Sequence, residues 1–88
     1  MERIQANVRI KSLVGVENLQ EILEKEYKEV SKWYNEEILE HLYLKSDKTG
    51  AIIIFKDITI EKAKDLVPTL PLFPYFDNIE YSILERKI

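Results

Sequence analysis

The chain has 88 residues, a formal net charge of −3, a pI near 5.2, 45% apolar residues and no cysteine. That length makes one small domain with a single core and a large wet surface, so self-association is a natural way to bury surplus apolar area. The acidic balance argues against general nucleic-acid binding, which needs a basic patch. The missing cysteines exclude a disulfide framework and thiolate chemistry. No apolar run approaches the roughly 20 residues of a membrane span. The charged, alternating start "MERIQANVRIKS" does not read as a signal peptide. These features predict a cytoplasmic protein that binds neither membrane nor nucleic acid.

In chain order, residues 3–11, "RIQANVRIK", alternate strictly. Ile4, Ala6, Val8 and Ile10 share one side, and Arg3, Gln5, Asn7, Arg9 and Lys11 the other. A period of two predicts a strand with one buried face. From Asn18 to Asn35 the period lengthens. Leu19, Ile22, Leu23, Tyr27, Val30, Trp33 and Tyr34 form one apolar stripe, which predicts an amphipathic helix of about five turns. Asn18 with Glu21 predicts a capping box at its start. Glu26 interrupts the apolar side.

Ile38–Lys45, "ILEHLYLK", predicts a second strand. "SDKTG" has turn chemistry, and Ala51–Ile58 predicts a third strand buried on both faces. Thr59 is placed to cap a second helix whose last turn is ended or kinked by Pro68. Asn78–Lys87 predicts a fourth strand.

The order β-α-β-β-α-β predicts an α+β, ferredoxin-like fold: one antiparallel four-stranded sheet with both helices on one face. The other face has no cover within the chain. By parity, Leu39, His41, Tyr43 and Lys45 share one side of the second strand, assigned to that open face, with Ile38, Glu40, Leu42 and Leu44 opposite. A bulge would shift this assignment.

His41 is the only histidine, and its ordinary pKa near neutrality suits proton shuttling. Arg9, with Asn7 beside it on the open face, has the fork geometry to hold a carboxylate. Tyr43 can donate to an oxyanion. Glu26 on an apolar helix side would have a raised pKa and serve as acid or base. Each also has a structural reading: a hydrogen-bonded histidine, a dimer salt bridge, a packed tyrosine, a lysine-paired glutamate. Glu37 and His41 are four apart, but at a helix-to-strand junction that spacing does not converge on a metal. RNA-recognition domains share the element order, yet they need aromatics on the first strand, which has none here. Amino-acid-sensing regulatory domains share it too.

The segment "LPLFPYFDNIEY", Leu70–Tyr81, packs prolines and aromatics into a few residues. It resembles the C-terminal signature of the muconolactone delta-isomerase family, a Leu-Pro-Leu-Phe-Pro-Tyr run followed by an apolar residue and Asp. "EHLYLK" and "AIIIFKDI" fall where that family has a histidine-bearing strand and a strand ending in Phe-Asp-Val. The resemblance implies a dimeric α/β barrel, two sheets packed face to face, with assembly as far as a homodecamer. It implies proton transfer within a small lactone or related carboxylate, with no metal and no organic cofactor. His41 falls where the family has its strand histidine. The family's helix also carries an acidic residue near Glu26, and its first strand basic or polar residues near Asn7 and Arg9. This chain departs from the isomerases by having Glu40 and Leu44 roughly where they flank the histidine with arginines. The stiff connector predicts an assembly role for Pro71, Phe73, Pro74, Tyr75 and Phe76, with a ligand-lining role as the alternative. A non-catalytic oligomer that binds a small molecule or serves structurally is the competing reading of the whole chain.

Overall fold

A computed structural model describes residues 2–88. In order it contains strand β1 (Glu2–Ile10), helix α1 (Leu19–Asn35), strands β2 (Leu39–Leu44) and β3 (Gly50–Phe55), and helix α2 (Ile60–Leu66). Short 3-10 turns at Val67–Thr69 and Phe73–Tyr75 then lead to strand β4 (Phe76–Glu85). The four strands form one antiparallel sheet in the order β2-β3-β1-β4.

The alternation in β1 decides the two faces. Ile4, Ala6 and Val8 are buried under the helices, opposite Phe55, Ile53 and Ala51 of β3. Val30 and Trp33 of α1, Ala63 of α2, and Val67 and Leu70 complete this core. Trp33 is 1% exposed, and its ring centroid lies 5.6 Å from that of Phe55. Ile52 and Ile54, the alternate residues of β3, face the uncovered side and are half-buried. The double-sided burial predicted for β3 is therefore met on one face only within a single chain.

Helix α2 begins as its sequence predicts. The Thr59 hydroxyl accepts a hydrogen bond from the Lys62 amide at 3.1 Å. Pro68 then turns the end of the helix into a 3-10 turn, because it has no amide to donate to the previous turn.

The capping box predicted for α1 does not form. Asn18 sits in the left-handed region at φ 57, and its side chain makes no cap bond. Glu21 is instead paired with Lys25 at 3.3 Å, one turn on.

Strand boundaries also shift. β3 ends at Phe55 rather than Ile58: the Lys56 amide still bonds across to the Ile38 carbonyl at 2.9 Å, but Asp57 takes a left-handed conformation at φ 60 that an extended strand does not carry. β4 starts at Phe76, two residues before the predicted Asn78. Just before it, the Tyr75 carbonyl accepts from the Lys11 amide at 2.8 Å, which leads the chain into pairing with β1.

Candidate functional site

The open sheet face is built in rows. Register places Tyr43, Ile52, Asn7 and Glu80 side by side, and next to them His41, Ile54, Gln5 and Ser82. Neighbouring strands are about 4.8 Å apart, so the backbones of Tyr43 and Asn7 are separated by about 10 Å. The rings of His41 and Tyr43 stack with centroids 5.7 Å apart. Arg9 continues the face one row beyond Asn7, opposite Gly50 and Asn78.

A β-bulge decides which β2 side chains reach this face. Leu39 pairs with Phe55 and His41 pairs with Ile54, so Glu40 is the extra residue between them. Leu39, expected on the open face, is therefore buried in the core at 6% exposure. His41 and Tyr43 stay on the open face. Bulges re-aim side chains in this way because two residues of one strand oppose a single residue of its partner.

The bulge residue is held by a charge pair. Arg3 Nε donates to Glu40 Oε1 at 2.9 Å, and Arg3 Nη1 donates to the Glu2 carbonyl at 3.1 Å. The guanidinium holds the Glu40 carboxyl below the usual carboxylate range. His41 Nε2 lies 4.0 Å from the same Glu40 oxygen.

Two hollows touch this face. At one end, Asn7, Arg9, Lys45, Thr49, Asn78 and Glu80 surround a polar pocket of about 350 Å³. Around the β2 edge, His41 and Glu40 border a groove of about 520 Å³ whose other wall includes Tyr27, Ser31 and Tyr34 of α1. Lys45, Thr49, Asn78 and Glu80 were not among the expected site residues. Lys45 and Asn78 could have been found from strand parity alone, but Thr49 enters only through the geometry of the turn between β2 and β3.

Glu26 lies elsewhere. It sits on the helix side of the sheet, in an apolar cavity of about 210 Å³. One carboxyl oxygen, Oε1, accepts the Leu72 amide at 3.0 Å. Burial pushes its pKa up, partly offset by that hydrogen bond. The structure thus brings Asn7, Arg9, His41 and Tyr43 onto one face and keeps Glu26 across the sheet from them.

The Leu70–Phe76 run divides its residues. Leu70 and Leu72 are buried, and Phe76 packs on the core. Pro71 and Tyr75 are half-buried, whereas Pro74 is exposed. Phe73 is 37% exposed and meets Phe76 edge-on with centroids 5.9 Å apart. In β4, Ser82 faces the open side, and Tyr81 the helix side, with Lys64 Nζ 5.6 Å from its ring centroid.

Among the described residues, no helix is long and apolar enough to cross a membrane. No family model matches this sequence, and no curated protein matches it. Among solved structures, the chain is similar to the crystal structure of muconolactone isomerase at 3.3 Å resolution, with a TM-score of 0.80 and 22% sequence identity. The match covers 96% of this chain and 88% of that one. The fold described above is therefore the fold of muconolactone isomerase.

Proposed function

We propose that this protein moves a proton within a small lactone or related carboxylate by general acid–base chemistry, without a metal or organic cofactor. We also place it in the muconolactone delta-isomerase family, as a single-domain cytoplasmic protein. The observation that carries this reading is that Asn7, Arg9, His41 and Tyr43 all lie on one uncovered sheet face.

In this reading the Arg9 guanidinium and the Asn7 amide hold the substrate carboxylate, with Lys45 adding positive charge at the rim. His41 removes the proton next to the carbonyl and returns it elsewhere. The Tyr43 hydroxyl donates to the enolate oxygen as charge develops on it. Glu26 serves as acid or base only for a molecule on its own side of the sheet.

The open face works when a second copy covers it. Two sheets stacked face to face lie about 10 Å apart, which encloses the site and excludes water. Pro71, Phe73, Pro74, Tyr75 and Phe76 contribute to this and to larger assembly, up to a decamer. Neither nucleic acid nor membrane is a partner.

A second reading is a non-catalytic oligomer of the same superfamily that binds a small molecule or serves structurally. The apolar Ile52 and Ile54 at the middle of the open face favour it, because they suit a packed interface.

Muconolactone conversion followed by ultraviolet absorbance, with wild type and His41→Ala in parallel, tests the first reading. Turnover that falls at least about 100-fold in the variant, the scale of a lost general acid or base, supports it. Absence of turnover by the wild type overturns muconolactone as substrate and favours the second reading.

A further inference from the structure

The sheet ends in two free edges, β2 and β4. β4 carries Asp77, Glu80 and Glu85 along its length, and charges of this kind discourage an edge from pairing with another chain. β2 has the bulge at Glu40, but Leu42, Tyr43 and Leu44 beyond it carry no charge, no proline and no further irregularity. The Lys45 amide donates to the Gly50 carbonyl at 2.9 Å, which makes these two a hydrogen-bonded pair. Such pairs alternate along an antiparallel ladder, so Tyr43 and Ile52, two residues on, are a hydrogen-bonded pair as well. The N–H and C=O groups of Leu42 and Leu44 therefore point away from β3, past the edge. Among the described residues, no backbone group outside the sheet bonds to either.

The same two residues expose apolar side chains on the helix side of the sheet. Leu42 is 40% and Leu44 74% exposed, and Leu23 and Tyr27 of α1 stand beside them, Tyr27 at 72%. Tyr34, 64% exposed, borders the neighbouring groove together with Tyr27 and Leu42. At about 200 Å² per tyrosine, Tyr27 and Tyr34 together expose roughly 270 Å². The three leucines bring the patch to the size that marks an interaction site on a small protein. Glu24 and Lys28 flank Tyr27, so the patch has no single sign of charge with which to repel a copy of itself.

We infer that the β2 edge pairs antiparallel with β2 of a second copy of this chain, joining two four-stranded sheets into one of eight strands. A two-fold axis at Tyr43 sets Leu42 opposite Leu44 of the second copy, and Leu44 opposite its Leu42. All the outward N–H and C=O groups of both leucines then find partners, and four leucine side chains pack together between the two α1 helices. An axis at Leu42 would instead set Leu44 against Glu40, and an axis at Leu44 would set Leu42 against Ser46. The copy suits the edge because this register matches apolar residue to apolar residue and outward donor to outward acceptor, as an isologous contact must. The contact leaves the open face uncovered, so the inference stands whether or not that face is catalytic.

Amide hydrogen exchange of the full-length ¹⁵N-labelled chain reads the edge directly, with Leu44→Lys as the variant. Leu44 is mostly exposed, so a lysine there is compatible with the folded chain but sets a cation against Leu42 of the copy. The Leu42 amide should exchange at least about tenfold more slowly in wild type than in Leu44→Lys, the scale of one hydrogen bond. The Tyr43 and Lys45 amides, already bonded to β3, should be equally slow in both. Because the chain has no cysteine, Tyr43→Cys supplies a single thiol for a second measurement. Residues opposed in a non-hydrogen-bonded pair have Cα atoms about 4.5 Å apart, within reach of a disulfide. Air oxidation of Tyr43→Cys should therefore give a cross-linked dimer, and adding Leu44→Lys should cut its yield at least about tenfold. Leu44 lies on the helix side, so that loss separates edge pairing from a stack of open faces. Equal Leu42 exchange in wild type and Leu44→Lys, or a cross-link that persists in the double variant, would each overturn the inference. Protection of Leu42 that requires added cell extract would assign the edge to a different protein and overturn it too.

Discussion

Arg3 and Glu40 are joined at 2.9 Å although β3 lies between the strands that carry them. The guanidinium crosses the open face of β3 to reach the bulge that sets His41 in place. Because Arg3 holds the Glu40 carboxyl low, the pair contributes stability above the unfolded glutamate pKa of about 4.3. That contribution disappears as pH falls through the still lower folded value. Glu40→Gln should therefore lower the melting temperature most near pH 7, and the gap to wild type should close below about pH 4. Thermal melts across pH 3–7 read this directly. A gap independent of pH would mean that the pair contributes no charge-dependent stability.

Glu26 has the opposite sign. Its folded pKa is raised by burial, so the native state binds more protons than the unfolded chain between the two values. Stability then falls as pH rises through that window, and ionised Glu26 remains a cost at neutrality. Glu26→Gln keeps an acceptor for the Leu72 amide and removes the charge. It should melt higher than wild type at pH 7, with the difference fading toward pH 4. A variant that melts lower at every pH would show that the carboxylate itself is needed to hold the run at Leu72.

Gly50 begins β3 against the backbone of β1. A Cβ there would lie 2.1 Å from the Val8 carbonyl oxygen. That neighbour is backbone in the centre of the sheet and cannot swing aside. Gly50→Ala should therefore destabilise by about 1–3 kcal/mol, the usual cost of overpacking, and chemical denaturation would measure it. The strand ends that carry Arg9 and Lys45 would be disturbed with it.

Phe73 holds Phe76 edge-on yet remains more than a third exposed. Such a ring pair contributes about 0.5–1.5 kcal/mol beyond its buried area. In our proposal its free surface meets a neighbouring subunit. Phe73→Ala should shift sedimentation toward smaller species at a given concentration before it harms any chemistry. Unchanged assembly with lost ligand binding would instead place the ring in a ligand cavity.

Read as sequence, the chain already contained its architecture. The period-two pattern of residues 3–11, the long apolar stripe from Leu19 to Tyr34 and the turn chemistry of "SDKTG" each follow from local backbone geometry. Local geometry needs only near neighbours, so the element order and the helix-covered face of β1 could be derived. Thr59 as a cap and Pro68 as a terminator are equally local.

What the sequence could not determine depends on contacts between distant residues. The bulge at Glu40 separates Leu39 from His41 because Arg3, 37 positions earlier, supplies a partner for the extra residue. Asn18 gives up its cap because the connection from β1 into α1 takes a left-handed turn there. Glu26 and His41 both read as acid–base candidates from residue type. Only the packing of α1 and the Leu70–Leu72 segment against one side of the sheet separates them, because a sheet has two faces and tertiary contacts alone decide what covers each.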